Sequence, residues 1–214
     1  MNPSTSIRDG KKTVTDSIDT YATIVRTSRK LFMEFGYRGI STRQIADACG
    51  ITQPALYHHF KNKQSLYLEV IHQSLFQTEE ALTQISRTTF NLEERLTQLS
   101  CYMMGNFQED ITQMFHDISH EFNQEQQQLL HQLWQKSFLL PVEKMIEDGV
   151  TSGQIKNMCE LDTTTTDLAY LILNLIKTTL PPSYFRTQSI SDQRQIVVKK
   201  AKFMVSILLN GIGA

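Results

Sequence analysis

The 214-residue chain has little of what builds β-sheets or disulfide frameworks. Glycine and proline are few, at nine and five residues, and alternating runs of β-branched residues are nearly absent, so we expect an all-α fold. The three cysteines, Cys49, Cys101 and Cys159, are far apart in the sequence and lack the paired spacing of a metal site. An odd number of cysteines also fits a reducing compartment.

Long apolar runs are missing as well. The longest, residues 168–176, is interrupted by Asn174 and is too short to cross a bilayer. The polar N-terminal residues 1–17 contain no signal peptide. The sequence therefore predicts a soluble cytoplasmic protein that does not enter a membrane.

Enzyme motifs are also absent from the sequence. There is no nucleophile elbow, Walker loop, dinucleotide-binding glycine pattern or HExxH zinc motif. His116 and His120 lie four residues apart, a spacing that can hold a metal, but the sequence supplies no third ligand. We interpret both as surface histidines, and we predict a chain with no cofactor and no catalytic activity.

The charge is distributed unevenly along the chain. Residues 1–67 contain ten Lys/Arg and five Asp/Glu, a net charge of +5, whereas residues 68–214 contain eleven and seventeen, a net charge of −6. A basic first part and an acidic remainder suit a protein that meets a polyanion with one end only.

A stretch that begins at Ser41 predicts two short helices joined by a tight turn. Ser41 is a good N-cap residue, and Gln44 completes a capping box three residues later. Gly50 ends the first helix in a left-handed C-cap position. Thr52 can cap the second helix, with Pro54 in its first turn. A second helix this short, showing polar and aromatic residues to solvent, is typical of the helix-turn-helix, which places it in the major groove of DNA.

The same stretch resembles the DNA-binding core of the tetracycline-repressor (TetR) family of bacterial regulators. The matching segments are KLFMEFGYRGIS, TRQIADACGI and TQPALYHHFKNK, all within residues 20–67; beyond them only the succession of helices matches. The resemblance implies an all-α chain with an N-terminal three-helix DNA-binding domain and a C-terminal helical body that binds an effector and dimerises. We expect a flexible tail at residues 1–17, the DNA-binding domain at 18–66, and the effector-binding and dimerisation domain at 67–214.

Each candidate DNA contact has a chemical reason. Gln53 can present its amide to adenine N6 and N7, while Pro54 and Ala55 offer apolar contact to a thymine methyl. Arg43 suits a phosphate or, alternatively, a guanine. The resemblance implies operator contacts at most of these positions, although His58 stands where related proteins often carry another aromatic residue. The predicted DNA-binding set is Thr42, Arg43, Thr52, Gln53, Pro54, Ala55, Tyr57, His58, His59 and Lys63.

The helical body contains many large, adaptable side chains. They are either ordinary core residues or the lining of a pliable apolar pocket. The resemblance favours a pocket for a small, largely apolar effector, because proteins of this family usually release DNA when a small molecule enters the body. The candidate pocket residues are Tyr102, Met103, Phe107, Met114, Phe115, Trp134, Phe138 and Tyr170.

The last two predicted helices carry more apolar surface than one body needs. This surplus predicts a homodimer packed as a four-helix bundle, and the resemblance implies the same arrangement; the alternative is that both helices complete the core of a monomer. A two-fold dimer places its two recognition helices about 34 Å apart, which predicts a palindromic operator. The candidate interface residues are Leu168, Ile172, Leu175, Ile176, Val197, Ala201, Met204, Val205 and Leu208.

Together these patterns predict a regulator of transcription that binds double-stranded DNA. The simplest version is a repressor released from its operator by the effector. Two alternatives stay open: a DNA-binding regulator that needs no effector, and an all-α module whose helical hairpin binds protein.

Overall fold

The computed structural model describes residues 14–88, 91–106, 117–179 and 190–212, and this part of the chain contains helices and turns but no strand. The predicted all-α fold is confirmed. The chain divides into two compact units, Met1–Val70 and Ile71–Ala214, and the division falls inside α4. The helices are α1 (Val14–Gly39), α2 (Thr42–Ala48), α3 (Gln53–His59), α4 (Lys63–Ser86), α5 (Leu92–Asn106), α6 (Gln124–Trp134), α7 (Leu140–Thr151), α8 (Thr165–Thr179) and α9 (Ile190–Ile212).

The first unit packs α1, α2 and α3 around a small apolar core. Ile24 of α1, Ile45 of α2 and Leu56 of α3 are almost completely buried. The ring of Phe32 meets the ring of Tyr67 edge to face, with 4.7 Å between the ring centroids. Because α2 and α3 have seven residues each, they are too short to be stable alone and depend on this core.

In the second unit, α5 packs against α7, α8 and α9. A partly buried ion pair also joins two of these helices: Arg95 of α5 lies 3.0 Å from the Asp148 carboxylate of α7. The Arg95 guanidinium donates a further hydrogen bond to the backbone oxygen of Ser86 at 3.2 Å. The arginine therefore fixes the end of α4 and one face of α7 to the same helix.

The apolar spacing of residues 123–150 predicts one long helix with a kink at Pro141. In the structure a π-helical turn, Gln135–Leu139, divides this segment between α6 and α7. The N–H of Leu140 donates to the carbonyl of Gln135, five residues earlier. Pro141 has no N–H, and its ring excludes the carbonyl four residues before it from the regular helical position. The wider turn is one way to accommodate that ring.

Asp162 precedes the apolar run 168–176 and predicts a helix that opens at this aspartate, but α8 starts later. The helix begins at Thr165, and the hydroxyl of Thr164 accepts a hydrogen bond from the N–H of Asp167 at 3.0 Å, as an N-cap residue does. Asp162 lies three residues earlier in a turn, with a φ of 49°. That prediction was wrong because aspartate favours turns and helix caps equally.

The candidate dimer residues turn mostly inward, which corrects their assignment to an interface. Leu175 is half-buried, and the other eight side chains are buried within their own unit. Buried side chains have almost no surface left for a partner chain. Helical periodicity identifies apolar positions on α8 and α9 but does not say which of them the chain covers itself. The apolar side chains left exposed on these helices are Leu171, Val198, Phe203 and Ile207.

Candidate nucleic-acid interface

The first turn of α2 is fixed by its predicted capping box. The Ser41 hydroxyl accepts from the N–H of Gln44 at 3.2 Å, and the Gln44 side-chain oxygen accepts from the N–H of Ser41 at 2.9 Å. Buried Ile45 and Ala46 hold the helix on the core. The side chain of Arg43 is consequently left exposed on the first turn of α2.

The turn between α2 and α3 depends on Gly50. Its φ is 68°, in the left-handed region that side chains disfavour. The N–H of Gly50 donates to Asp47 at 3.1 Å, and the N–H of Ile51 donates to Ala46 at 3.0 Å. These two bonds form a Schellman motif, which ends α2 and turns the chain towards α3. The predicted glycine C-cap is therefore confirmed.

The second short helix, α3, begins after the N-cap that the sequence predicts at Thr52. The Thr52 hydroxyl accepts from the N–H of Ala55 at 3.3 Å. Leu56 anchors the helix in the core, whereas Tyr57 is 45% exposed. Of the other candidate contacts on α3, Pro54 and His58 are exposed, and Gln53, Ala55 and His59 are half-buried. One side of α3 is thus free to meet another surface.

Three polar side chains on this side form a hydrogen-bonded cluster. The amide nitrogen Nε2 of Gln53 donates to the hydroxyl oxygen of Thr42 at 2.9 Å, and it lies 3.5 Å from the hydroxyl oxygen of Tyr57. The two hydroxyl groups are 3.1 Å apart and share a hydrogen bond. This hydroxyl–amide cluster joins the first turn of α2 to α3. The four-residue spacing of Gln53 and Tyr57 predicts from the sequence that their side chains lie on the same face of a helix. The contact with Thr42 could not be predicted, because it depends on how the hairpin folds.

Two flanking candidates rest on aromatic rings of the same unit. The imidazole of His59 lies 6.3 Å from the ring of Tyr21, measured between centroids. Burial, together with a hydrogen bond to the Glu69 carboxylate, raises the pKa of Tyr21 to about 12, so this tyrosine stays neutral. The ammonium group of Lys63 lies 4.4 Å from the centroid of the Tyr37 ring, a cation–π contact.

The charges of the two short helices favour an anionic partner. The α3 sequence contains no acidic residue, and His58 and His59 occupy its last turn. No acidic residue lies in the first turn of α2 either. Within the part of the chain that the structure describes, Arg43 forms no hydrogen bond or ion pair, so its charge is available to a phosphate or a base.

In the second unit, three of the candidate pocket residues lie together. The rings of Phe138 and Tyr170 stack on Trp134 with centroid distances of 5.9 and 5.7 Å. Trp134 also lines a cavity of about 260 Å³, whose other described lining residues are Ile71, Leu75, Ile118, Ser119, Gln127, Leu130 and His131. Most of this lining was not predicted, because helices far apart in sequence contribute it.

The other pocket candidates do not line this cavity or lie outside the described residues. Met103 is buried and Tyr102 half-buried, both on α5. Phe107, Met114 and Phe115 fall outside the described ranges, as does His116 of the candidate histidine pair. His120 shares a hydrogen bond with the Ser119 hydroxyl at 2.9 Å. Among the described residues, no three His, Cys, Asp or Glu side chains are grouped closely enough to hold a metal ion.

None of the helices in the described ranges is long and apolar enough to cross a membrane.

Comparison with known proteins places the hairpin in a family. A model of the tetR family of bacterial regulatory proteins matches residues 24–70. The TetC protein of transposon Tn10 from Escherichia coli is 38% identical over 64 residues, which cover 30% of this chain and 32% of TetC. The class C tetracycline repressor of Escherichia coli is 46% identical over 43 residues, which cover 20% of each chain. The chain therefore matches a third or less of the length of these curated relatives.

Solved structures extend the likeness to the whole fold. AibR, in a complex with isovaleryl coenzyme A and operator DNA, has a TM-score of 0.65 and 22% sequence identity to this chain. The match covers 88% of this chain and 97% of AibR. The resemblance seen in the sequence is confirmed: residues 24–70 match the tetR family of bacterial regulatory proteins, and the chain as a whole shares the fold of AibR.

Proposed function

We propose that the chain is a cytoplasmic, DNA-binding regulator of transcription that reads the major groove with α3 and the first turn of α2. The observation that carries this proposal is the exposed side of the hairpin, where Arg43, Gln53 and Tyr57 face away from the core on short helices held by caps. Major-groove readout needs such a helix with amide and guanidinium groups on its open side. The net charge of +5 on residues 1–67 supports attraction to DNA before any specific contact forms.

The proposed contacts divide into two kinds. Gln53, Pro54 and Ala55 stand at the start of α3 and are suited to base edges, as the N-terminal residues of a recognition helix are. Thr42, Thr52, Tyr57, His58, His59 and Lys63 are suited to phosphates, and Arg43 to a phosphate or a guanine. Base contacts supply specificity, whereas phosphate contacts supply most of the affinity and its dependence on salt.

A homodimer would present two such hairpins. The exposed apolar residues Leu171, Phe203 and Ile207 on α8 and α9 offer a surface for a second copy of the chain. Association through a two-fold axis repeats the hairpin at a fixed spacing, so the operator should be a palindrome. We therefore move the proposed interface from the buried residues of α8 and α9 to these exposed ones.

A small, largely apolar effector would bind in the second unit and release the DNA. Support comes from the cavity of about 260 Å³ beside Trp134, whose lining combines apolar side chains with Ser119, Gln127 and His131. Pockets for small molecules have this mixture of apolar walls and a few polar groups. AibR, which has the same fold, binds both isovaleryl coenzyme A and operator DNA. An effector that prefers one conformation of the body would shift the population away from the DNA-binding state.

The proposal is tested by selecting bound duplexes from a random DNA library and measuring affinity against salt. The expected result is a palindromic site, with a steep loss of affinity as salt rises from about 50 to 200 mM. Addition of short-chain or aromatic acyl compounds should lower the affinity for that site if an effector controls it. Failure to bind duplex DNA of any sequence at low salt would contradict the proposal and favour a protein-interaction module. Binding that no added compound changes would favour an effector-independent regulator.

A further inference from the structure

The side-chain amide of Gln53 is held in one orientation by the two hydroxyl groups of the hydroxyl–amide cluster. One hydrogen of Nε2 is donated to Thr42 at 2.9 Å, and the nitrogen also lies 3.5 Å from the hydroxyl oxygen of Tyr57. Within the described part of the chain, no hydrogen bond engages the amide oxygen Oε1 of Gln53. The amide nitrogen carries two hydrogens, and the two hydroxyl oxygens, 3.1 Å apart, lie on the same side of it, so they occupy one hydrogen and leave the other available together with Oε1.

We infer that Thr42 and Tyr57 position Gln53 so that its amide oxygen Oε1 is presented to the operator as a hydrogen-bond acceptor. This inference rests on the proposed function. The base that Gln53 contacts must then supply a donor in the major groove, which is the N6 amine of adenine or the N4 amine of cytosine. A two-bond contact with adenine would also use the second hydrogen of Nε2, donated to N7.

Thr42 is therefore a positioning residue for base recognition in addition to any contact with a phosphate. A free glutamine side chain has several rotamers and must lose them when it binds a base. In this hairpin the cluster orders Gln53 before DNA arrives, since Thr42 and Tyr57 belong to helices that the core already holds. Loss of the Thr42 hydroxyl should release the amide and weaken its base preference.

The test begins by finding the operator position at which Gln53→Ala relaxes base preference in a selection from random duplexes. At that position, removal of the exocyclic amine of the preferred adenine or cytosine should lower the affinity of the wild-type protein about tenfold. Gln53→Ala should remove most of that effect.

Variants of Thr42 then isolate the positioning role. Thr42→Val should reduce the preference at the Gln53 position at least about threefold, while Thr42→Ser, which keeps a hydroxyl, should restore it. In the Gln53→Ala background, Thr42→Val should produce no further change at that position, whatever it does to overall affinity. Circular dichroism of each variant checks that the hairpin remains folded.

Several outcomes would overturn the inference while leaving the proposed function intact. They are an unchanged affinity for the amine-free base, an unchanged base preference in Thr42→Val, and no change at any position in Gln53→Ala. Absence of any DNA binding by the wild-type protein would instead reject the proposed function itself.

Discussion

Arg43 and Lys63 bring the positive charges of the candidate DNA-binding set, and they are held in different ways. Arg43 is exposed on the first turn of α2, whereas the ammonium of Lys63 is packed over the Tyr37 ring at 4.4 Å. A cation placed over a ring loses less conformational freedom when it binds a phosphate, because its position is already restricted. Lys63 suits a phosphate, whereas the guanidinium of Arg43 suits a phosphate or a guanine.

We expect Arg43→Ala and Lys63→Ala to weaken binding to all DNA sequences. Each lost phosphate contact should reduce the slope of log affinity against log salt by about 0.9. Titration of a selected duplex and an unrelated duplex at several salt concentrations measures both effects. Lys199→Ala, an exposed lysine of α9, serves as the control and should leave the slope unchanged. A loss confined to the selected duplex in Arg43→Ala would instead indicate a contact with guanine.

For individual residues, the sequence predicts the features that depend only on residues close together in the chain. The capping box of Ser41 and Gln44, the C-cap at Gly50 and the N-cap at Thr52 each involve residues within five positions of one another, and all are confirmed. The bond from Gln53 to Thr42 crosses eleven positions and two helices. Residue patterns alone could not predict it, because it depends on the angle at which the hairpin closes.

Among the elements, α2 ends where it does because of the backbone conformation of Gly50. Its φ of 68° is strained for any side chain, although a Cβ there would meet no atom within 4 Å. Gly50→Ala should therefore destabilise the protein by about 1 kcal/mol through backbone strain alone. Gly105 of α5 also has open space around it but a helical backbone, so Gly105→Ala should stabilise by about 0.5 kcal/mol. Urea unfolding followed by circular dichroism compares the two, and equal effects would contradict the strain argument.

The ion pair between α5 and α7 leads to a second prediction, on the stability that this contact between two helices provides. Arg95 is buried, so Asp148→Asn leaves its charge without a carboxylate partner. Breaking a fully buried pair costs about 3–5 kcal/mol, but Asp148 is 36% exposed and solvent screening should reduce the loss to about 1–2 kcal/mol. Glu147→Gln is the control, since that carboxylate is 58% exposed and 3.8 Å from Lys144; we expect a change below about 0.5 kcal/mol. Equal effects in urea unfolding would contradict the assigned role of Arg95.

The Asp148 carboxylate should also make the stability of the protein depend on pH. Partial burial acts to raise the pKa of Asp148, but hydrogen bonds from Lys144 and Arg95 outweigh it and leave the pKa lowered. A pKa that is lower in the folded state adds stability above the ordinary value of about 4, and this stability is lost as the pH falls below it. Unfolding measured between about pH 6 and 2 should therefore show a smaller loss of stability for Asp148→Asn than for the wild type.

Which face of a helix is buried was harder to predict than where the helix lies in the sequence. The apolar spacing of α8 and α9 predicts both helices, yet it also led to buried residues such as Ile172 and Ala201 being assigned to a dimer interface. A helix that is apolar on several sides does not reveal in its sequence which side its own chain covers. The candidate cavity had the same difficulty, because its lining comes from residues as far apart as Ile71 and Trp134.

For the whole molecule, the proposed dimer depends on apolar side chains that a single chain leaves uncovered. Phe203 and Ile207 are 62% and 57% exposed and lie four residues apart, on one face of α9. Phe203→Glu should place a charge in the proposed interface and convert the dimer to monomers in analytical ultracentrifugation. The same variant should lose most of its affinity for a palindrome and keep weak binding to half-sites.

Leu129→Glu is the matched control for that experiment. Leu129 is 54% exposed on α6, so its replacement tests the effect of a new charge on an exposed leucine outside α8 and α9. We expect it to remain dimeric. If both variants sediment as the wild type does, the proposed interface is wrong.

The π-helical turn at Gln135–Leu139 determines the direction in which each later side chain of α7 points around the helix axis. Each extra residue wound into a helix advances the following side chains by about 100°. The buried positions Val142, Met145 and Ile146 therefore cannot be found by counting helical turns from Leu130. Removal of one residue from this turn would rotate that face of α7 away from α5 and α8, so the length of the segment is constrained in addition to its buried side chains, Ser137, Phe138 and Leu139.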